Sequence, residues 1–361
     1  MRLQLVSLTV AALAATSPVL AAPKLRAWVT TGDKRQLLNA QTPVAASRAG
    51  AVAGLPVITV ETNERHQSMV GFGAAITDAS AWLIQNKLKP ADRDALLREL
   101  FGRGEGGLGF SFTRVTIGAS DFSLDHYSLD DTPEGAPDPD LKHFSLARPE
   151  QYVFPTVRAA LKINPDLKVM ASPWSAPAWM KTTGSLVKGQ LKDEAYPVYA
   201  RFFARYVNDA AKLGVPTDYL SIQNEPDFEP DNYPGMRWLP QDRARFFGEH
   251  PAPVFQREKI KTRVLDWDHN WDQPQQPLTV LADTKARAFL TGVAWHCYAG
   301  DVSAQDKVRA AYPDKEVFFT ECSGGEWAPK FDDSFSWMVE QLIIGSTRGG
   351  CLLYTSDAAD E

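Results

Sequence analysis

Two glutamates sit where a chain could use them for acid–base or nucleophilic work. Residues 219–223 are a short strand-compatible run that gives way to Asn224, Glu225 and Pro226. A proline cannot donate to a β-ladder, so the strand must stop there and present an amide and a carboxyl group at its C-terminal end. A second run, residues 316–320, is apolar and β-branched and ends in Glu321, followed by Cys322, Ser323, Gly324 and Gly325. A lone Asn-Glu-Pro reads most simply as a solvated loop carboxylate. A second carboxylate in an equivalent place turns the pair into a candidate site.

The elements that must hold these residues alternate along the chain. Strand-like runs fall at 70–77, 112–117, 168–174, 219–224, 262–267, 293–298 and 316–320. Helix-like stretches at 91–101, 149–163, 193–213, 282–290 and 334–344 lie between them. The third of these carries Tyr199, Phe202, Phe203, Tyr206, Val207 and Ala210 on one face, upstream of Gly214. Strand–helix alternation of this kind predicts an α/β fold, a parallel (β/α)8 TIM barrel. Its eighth strand is doubtful, with 350–355 the only candidate. Glu225 then closes the fourth strand and Glu321 the seventh, three strands apart on one barrel mouth. An open doubly wound sheet would place a glycine-rich phosphate turn after its first strand. The GxGxxG at 104–109 follows a helix and precedes a strand, the reverse of the order that cradles phosphate.

Bulk properties narrow the partners. The 361 residues are 44% hydrophobic and 23% charged, enough for one large core. The net charge of -6, with no dense Lys/Arg run, argues against nucleic acid. Ten tryptophans suit sugar rings as well as cores. Residues 1–22 read as a signal peptide: Arg2, an apolar run, then small residues before Pro23. This predicts a secreted or periplasmic protein with no integral membrane segment in its mature form. The cysteines Cys297, Cys322 and Cys351 make no disulfide framework, and Cys322 reads as a small neighbour of Glu321. There is no HExxH, CxxC pair or GxSxG elbow, so neither metal nor cofactor is expected.

Facing carboxylates on a barrel mouth are what cleavage of a glycosidic bond requires. One is kept protonated to donate to the leaving oxygen, and the other is ionised to attack the anomeric carbon. Asn224, beside the acid, is placed to bind the sugar 2-hydroxyl.

From about Met69 to Gly349 the chain resembles glycoside hydrolase family 30, which includes the glucosylceramidases. The motifs that carry the resemblance are residues 71–78 ending in Asp78, Arg114 with 119–123, 171–179 with Trp174, Asn224-Glu225-Pro226, His296-Cys297-Tyr298 and Thr320-Glu321. It implies Glu225 as acid/base and Glu321 as nucleophile of a retaining β-glycosidase. Asp78, Arg114, Trp174, Asn224, His296 and Tyr298 would surround a β-linked sugar of glucosylceramide or β-glucan type. A β-xylosidase or xylanase activity and a non-catalytic carbohydrate-binding pseudoenzyme are the alternatives. Asp78 could instead cap a helix, Trp174 and Trp179 could be core, and His296 could be structural. A buried Arg114 demands a carboxylate partner. The polar, aromatic run 266–270 could line a subsite, with no role assigned to any one residue. The family continues into a further strand, a helix and a β-sandwich. The resemblance therefore divides the chain into N-terminal strands of an incomplete sandwich (23–65), a barrel that closes poorly (66–355) and a tail of doubtful origin (356–361).

Overall fold

The computed structural model describes residues 24–46 and 54–356, so the leader-like segment 1–22 and residues 357–361 of the tail lie outside the described residues. Two units are distinct, Met1–Glu64 and Arg65–Glu361. In the first, β1 (Lys24–Leu25), β2 (Trp28–Val29), β3 (Asn39–Ala40) and β4 (Val44–Ala45) form two antiparallel ladders, β1 with β4 and β2 with β3. The alternating run 57–61 is not a strand. Among the described residues no ladder partners it, and an alternating pattern becomes a strand only when its backbone groups find a neighbour.

The second unit is built on eight parallel strands: β5 (Gly71–Ala74), β6 (Phe112–Thr116), β7 (Lys168–Ser172), β8 (Tyr219–Ser221), β9 (Arg263–Asn270), β10 (Gly292–His296), β11 (Glu316–Glu321) and β12 (Cys351–Ser356). They pair in chain order and close into a barrel. The eighth strand, doubtful from sequence, is β12. It pairs Val317↔Cys351 on one side and Leu353↔Gly71 through Ser356↔Ala74 on the other, so the expectation of poor closure is corrected. The cause is alternation: Cys351, Leu353 and Thr355 are buried, and their neighbours in sequence are half-buried. Closure at the first strand depends on Gly73, because a Cβ there would lie 1.8 Å from the Phe112 carbonyl oxygen.

Inside the barrel, Phe112, Met170, Tyr219, Leu265, Ala294, Phe318 and Leu353 form an apolar layer, one residue from each of seven strands. Two residues further along, the same inward face carries Arg114, Ser172, Ser221, His296 and Thr320. Period-two alternation thus stacks a polar layer on an apolar plug, at the C-terminal end of the strands.

Among the surrounding helices are α1 (Asp78–Asn86), α2 (Pro90–Phe101), α3 (Val153–Ile163) and α4 (Tyr196–Lys212). The six residues anticipated as the apolar face of α4 are all buried. Helices α5 (Pro240–Glu249) and α6 (Pro251–Glu258) were not legible, because Pro240 and Pro251 interrupt the apolar spacing while serving as helix starts. Helix α7 (Gln275–Ala282) was not anticipated either, and the stretch expected at 282–290 is α8 (Thr284–Phe289), capped by the Asp283 side chain.

The plug predicts a specific sensitivity. Phe318 is fully buried, with its ring 4.9 Å from that of Tyr219. Phe318→Ala should cost about 3–5 kcal/mol in urea unfolding. A loss below about 1 kcal/mol would mean that the barrel interior is not packed as described.

Candidate active site

The polar layer is a network of charges centred on Arg114 and Asp268, both almost wholly buried. Arg114 Nη1 donates to Glu321 Oε2 at 2.6 Å, and Nη2 donates to Asn224 Oδ1 at 2.6 Å and Asp268 Oδ2 at 2.8 Å. Asp268 Oδ2 also accepts from the hydroxyls of Ser172 (2.7 Å) and Ser221 (2.5 Å), and Oδ1 accepts from Thr320 (2.7 Å). His296 lies between the acids: Nε2 is 3.1 Å from Asp268 Oδ1, and Nδ1 is 3.1 Å from Glu225 Oε1 and 3.7 Å from Glu321 Oε1. Sharing one nitrogen holds the last two oxygens within about 7 Å of each other. Retaining glycosidases place their carboxyls roughly 5–5.5 Å apart and inverting ones roughly 6.5–9.5 Å.

Irregular backbone aims these groups. Against β10, the register of β9 skips Asp268, and the register of β11 skips Thr320. Each bulge turns an extra residue, and the two bulged side chains hydrogen-bond to each other. Trp267 (φ 77°) and Asp268 (φ 50°) are left-handed, so Asp266 and Trp267 both meet Arg243 on α5 while Asp268 faces the barrel interior. Glu225 is left-handed too (φ 49°) and is tied by its N–H to the Asp268 carbonyl at 3.0 Å. Non-glycine residues in this region cost about 1–3 kcal/mol each and gather where surroundings over-determine them.

Electrostatics decides where the protons sit. Burial pushes the His296 pKa down, but Glu321, Asp268 and Glu225 outweigh it and raise it to about 10. Burial pushes Glu225 up, but His269 and His296 outweigh it and bring it to about 2. Asp268 is held well below the usual carboxylate range, against burial, chiefly by Arg114 and His296. These directions favour His296 over Glu225 as the carrier of the proton the two share. Glu225, His269 and His296 offer donor atoms within 4.8 Å of one another, the spacing of a metal site.

Glu225, Glu321 and Tyr298 line an open hollow of about 300 Å³, with Asp121, Phe122, Phe228, Tyr233, His269, Asn270, Ser323 and Trp327. Arg114, Asn224 and His296 are buried; Arg114 holds Glu321, His296 lies against both glutamates, and Asn224 is bound through Arg114. Trp174 is buried, its ring 4.8 Å from the Arg114 guanidinium. Asp78 adjoins the wall of the hollow, since the N–H of the next residue, Ala79, donates to the carbonyl of Phe122 in its lining. It is fully buried, accepts from the phenol hydroxyls of Tyr127 (3.3 Å) and Tyr152 (3.2 Å), and is not among the residues lining the hollow. Nor is it the helix cap, since Thr77 accepts from the Ser80 N–H. Sequence reasoning left Asp268 without a role; the demand of buried Arg114 for a carboxylate was the signal that pointed to it.

A second correction concerns the cysteines. Cys297 and Cys322, each one residue beyond a site residue, form a disulfide, and Cys351 is a buried free thiol.

The proton distribution predicts how stability varies with pH. His296 is raised from 6.5, so its contribution is complete below about 6.5 and disappears as pH rises through about 10. Glu225 is lowered from 4.5, so its contribution is complete above about 4.5 and disappears as pH falls through about 2. Chemical unfolding from pH 3 to 10 should show a plateau between about 4.5 and 6.5, with an alkaline decline that His296→Gln flattens. An unchanged alkaline decline in that variant would contradict the assignment.

Comparison with known proteins agrees with this geometry. The model of the glycosyl hydrolase family 30 TIM-barrel domain matches residues 69–337. The endo-1,6-beta-D-glucanase of Neurospora crassa is 31% identical over 366 residues, covering 95% of this chain and 75% of that protein. The lysosomal acid glucosylceramidase of Mus musculus is 28% identical over 301 residues, covering 79% and 56%. The solved structure of the endo-beta1,6-glucanase BT3312 superposes with a TM-score of 0.83 at 30% identity, covering 91% of this chain and 73% of that one. The chain spans between about half and three quarters of the length of the curated relatives it matches. On the family match and the barrel together, this chain belongs to glycosyl hydrolase family 30.

Proposed function

We propose that the chain hydrolyses β-1,6 bonds within a glucan, by double displacement with retention of configuration. The observation that carries this reading is the convergence of Glu225 and Glu321 on one His296 nitrogen. Arg114 occupies Glu321 Oε2, which leaves Oε1 to attack the anomeric carbon and form a glycosyl ester. The proton given to the leaving oxygen starts on His296 Nδ1 and passes through Glu225, 3.1 Å away. In the second step Glu225 takes a proton from the attacking water, the ester opens, and the proton returns to His296. Asn224 has its carbonyl oxygen fixed by Arg114, so its NH2 is the end offered to the 2-hydroxyl. The choice of β-1,6-glucan follows the relatives named for that activity by sequence and by structure.

Glucosylceramide is the second reading. It is favoured by an apolar hollow of about 680 Å³ that shares Tyr298, Ser323 and Trp327 with the catalytic one and adds Trp337 and Met338. An exported protein is supported by the leader-like first 22 residues and by the disulfide, which persists in oxidising compartments.

The test is reducing-sugar release from β-1,6-glucan, β-1,3-glucan and xylan, beside glucosylceramide cleavage. Wild-type chain should favour β-1,6-glucan. Glu321→Gln should abolish turnover, and Glu225→Ala should lose about 10²–10⁴-fold on unactivated substrate. Preference for another substrate would overturn the specificity, and turnover by Glu321→Gln would overturn the mechanism.

A further inference from the structure

We propose that the Cys297–Cys322 disulfide is a positioning element of the catalytic site, and that breaking it with a dithiol lowers turnover without unfolding the barrel. This rests on Glu225 and Glu321 being the reacting pair.

The ladder between β10 and β11 ends at His296↔Glu321, just after its register has slipped by one residue. Both residues are therefore the last of their strands, placed by a bulge rather than by a regular run. Beyond them β11 gives way to irregular backbone through Gly324 and Gly325. The next residue on each strand is a cysteine, and the two Cα atoms are 5.5 Å apart. The bridge is thus a covalent rung laid where hydrogen-bonded pairing stops. It ties the strand end bearing His296 to the strand end bearing the nucleophile. What it secures is the 3.7 Å spacing from His296 Nδ1 to Glu321 Oε1, and through His296 the 3.1 Å contact to Glu225. A misplacement of about 1 Å among reacting groups can cost about 10²-fold in rate, so a constraint here has catalytic leverage.

The bridge has a route of attack. Both cysteines are buried, Cys322 at 1% and Cys297 at 8% exposure, and Cys297 lines the larger hollow beside Tyr298 and Ser323. A small dithiol entering there can form a mixed disulfide and then close on itself. Its two electrons reduce the cystine to two thiols, its two protons pass to the cysteine sulfurs, and it leaves as a cyclic disulfide. Cys351 offers no competing partner, since burial pushes its thiol up to about 12 and its sulfur bonds the Leu353 carbonyl.

The experiment treats the folded chain with dithiothreitol, quenches with iodoacetamide, and reads intact mass, far-UV circular dichroism and β-1,6-glucan hydrolysis on the same sample. The untreated chain should carry one alkylatable thiol after denaturation and the treated chain three. The treated chain should keep its circular dichroism, lose 10- to 100-fold in kcat with KM within about two-fold, and recover on reoxidation. Cys297→Ser/Cys322→Ser should show the same kcat and no further response to dithiol, whereas Cys351→Ala should respond like the native chain. Three thiols before treatment, an unchanged kcat after reduction, or loss of folded signal on reduction would each overturn the proposal. If the oxidised chain hydrolyses no β-glucoside at all, the underlying reading fails with it. If it does, and only the dithiol effect is missing, that reading stands alone.

Discussion

A buried guanidinium sets the terms for this site. Arg114 is 2% exposed, and its partners Asp268 and Glu321 are equally inaccessible or nearly so. Taking such charges out of water is costly, and the cost is met only when geometry and hydrogen bonds are good on every side. Here one cation orients an amide and two carboxylates, while three hydroxyls complete Asp268. Loss of one partner in such a cluster costs about 3–5 kcal/mol, because it strands a buried charge. Stability and site geometry are therefore the same set of contacts, and Glu321, the proposed nucleophile, is held by the buried arginine.

His296 extends that network to the second glutamate. Carboxylates on both sides raise its pKa, and it in turn lowers that of Glu225. In the proposed mechanism, the acid step draws the proton of His296 over 3.1 Å through Glu225. In that proposal, one proton shared by a histidine and a glutamate serves both halves of the double displacement.

Much of the frame could be read from the chain. The seven strand runs, the apolar face of α4 and the two strand-end glutamates follow from periodicity and proline or glycine punctuation, which are local properties. The features that escaped are the non-local ones. Whether 350–355 closes the barrel depends on pairing with strands on both sides, one of which, β5, lies at the far end of the barrel sequence. Asp268 is recruited by a bulge and two left-handed residues that no alternation rule foresees. The pairing of Cys297 with Cys322 requires knowing that their strands are neighbours. Asp78, whose motif suggested a sugar contact, also accepts from two tyrosines that no local pattern indicated.

The central claim is that Glu321 and Glu225 act on one sugar as nucleophile and acid/base. A 2-deoxy-2-fluoro β-glucosyl fluoride, which slows the second displacement, tests it most directly. Incubation followed by proteolysis and mass spectrometry should find one fluoroglucosyl group on the peptide containing Glu321, its turnover stalled and restored by an acceptor. A label on any other residue, or none in a chain that hydrolyses glucan, would contradict the account.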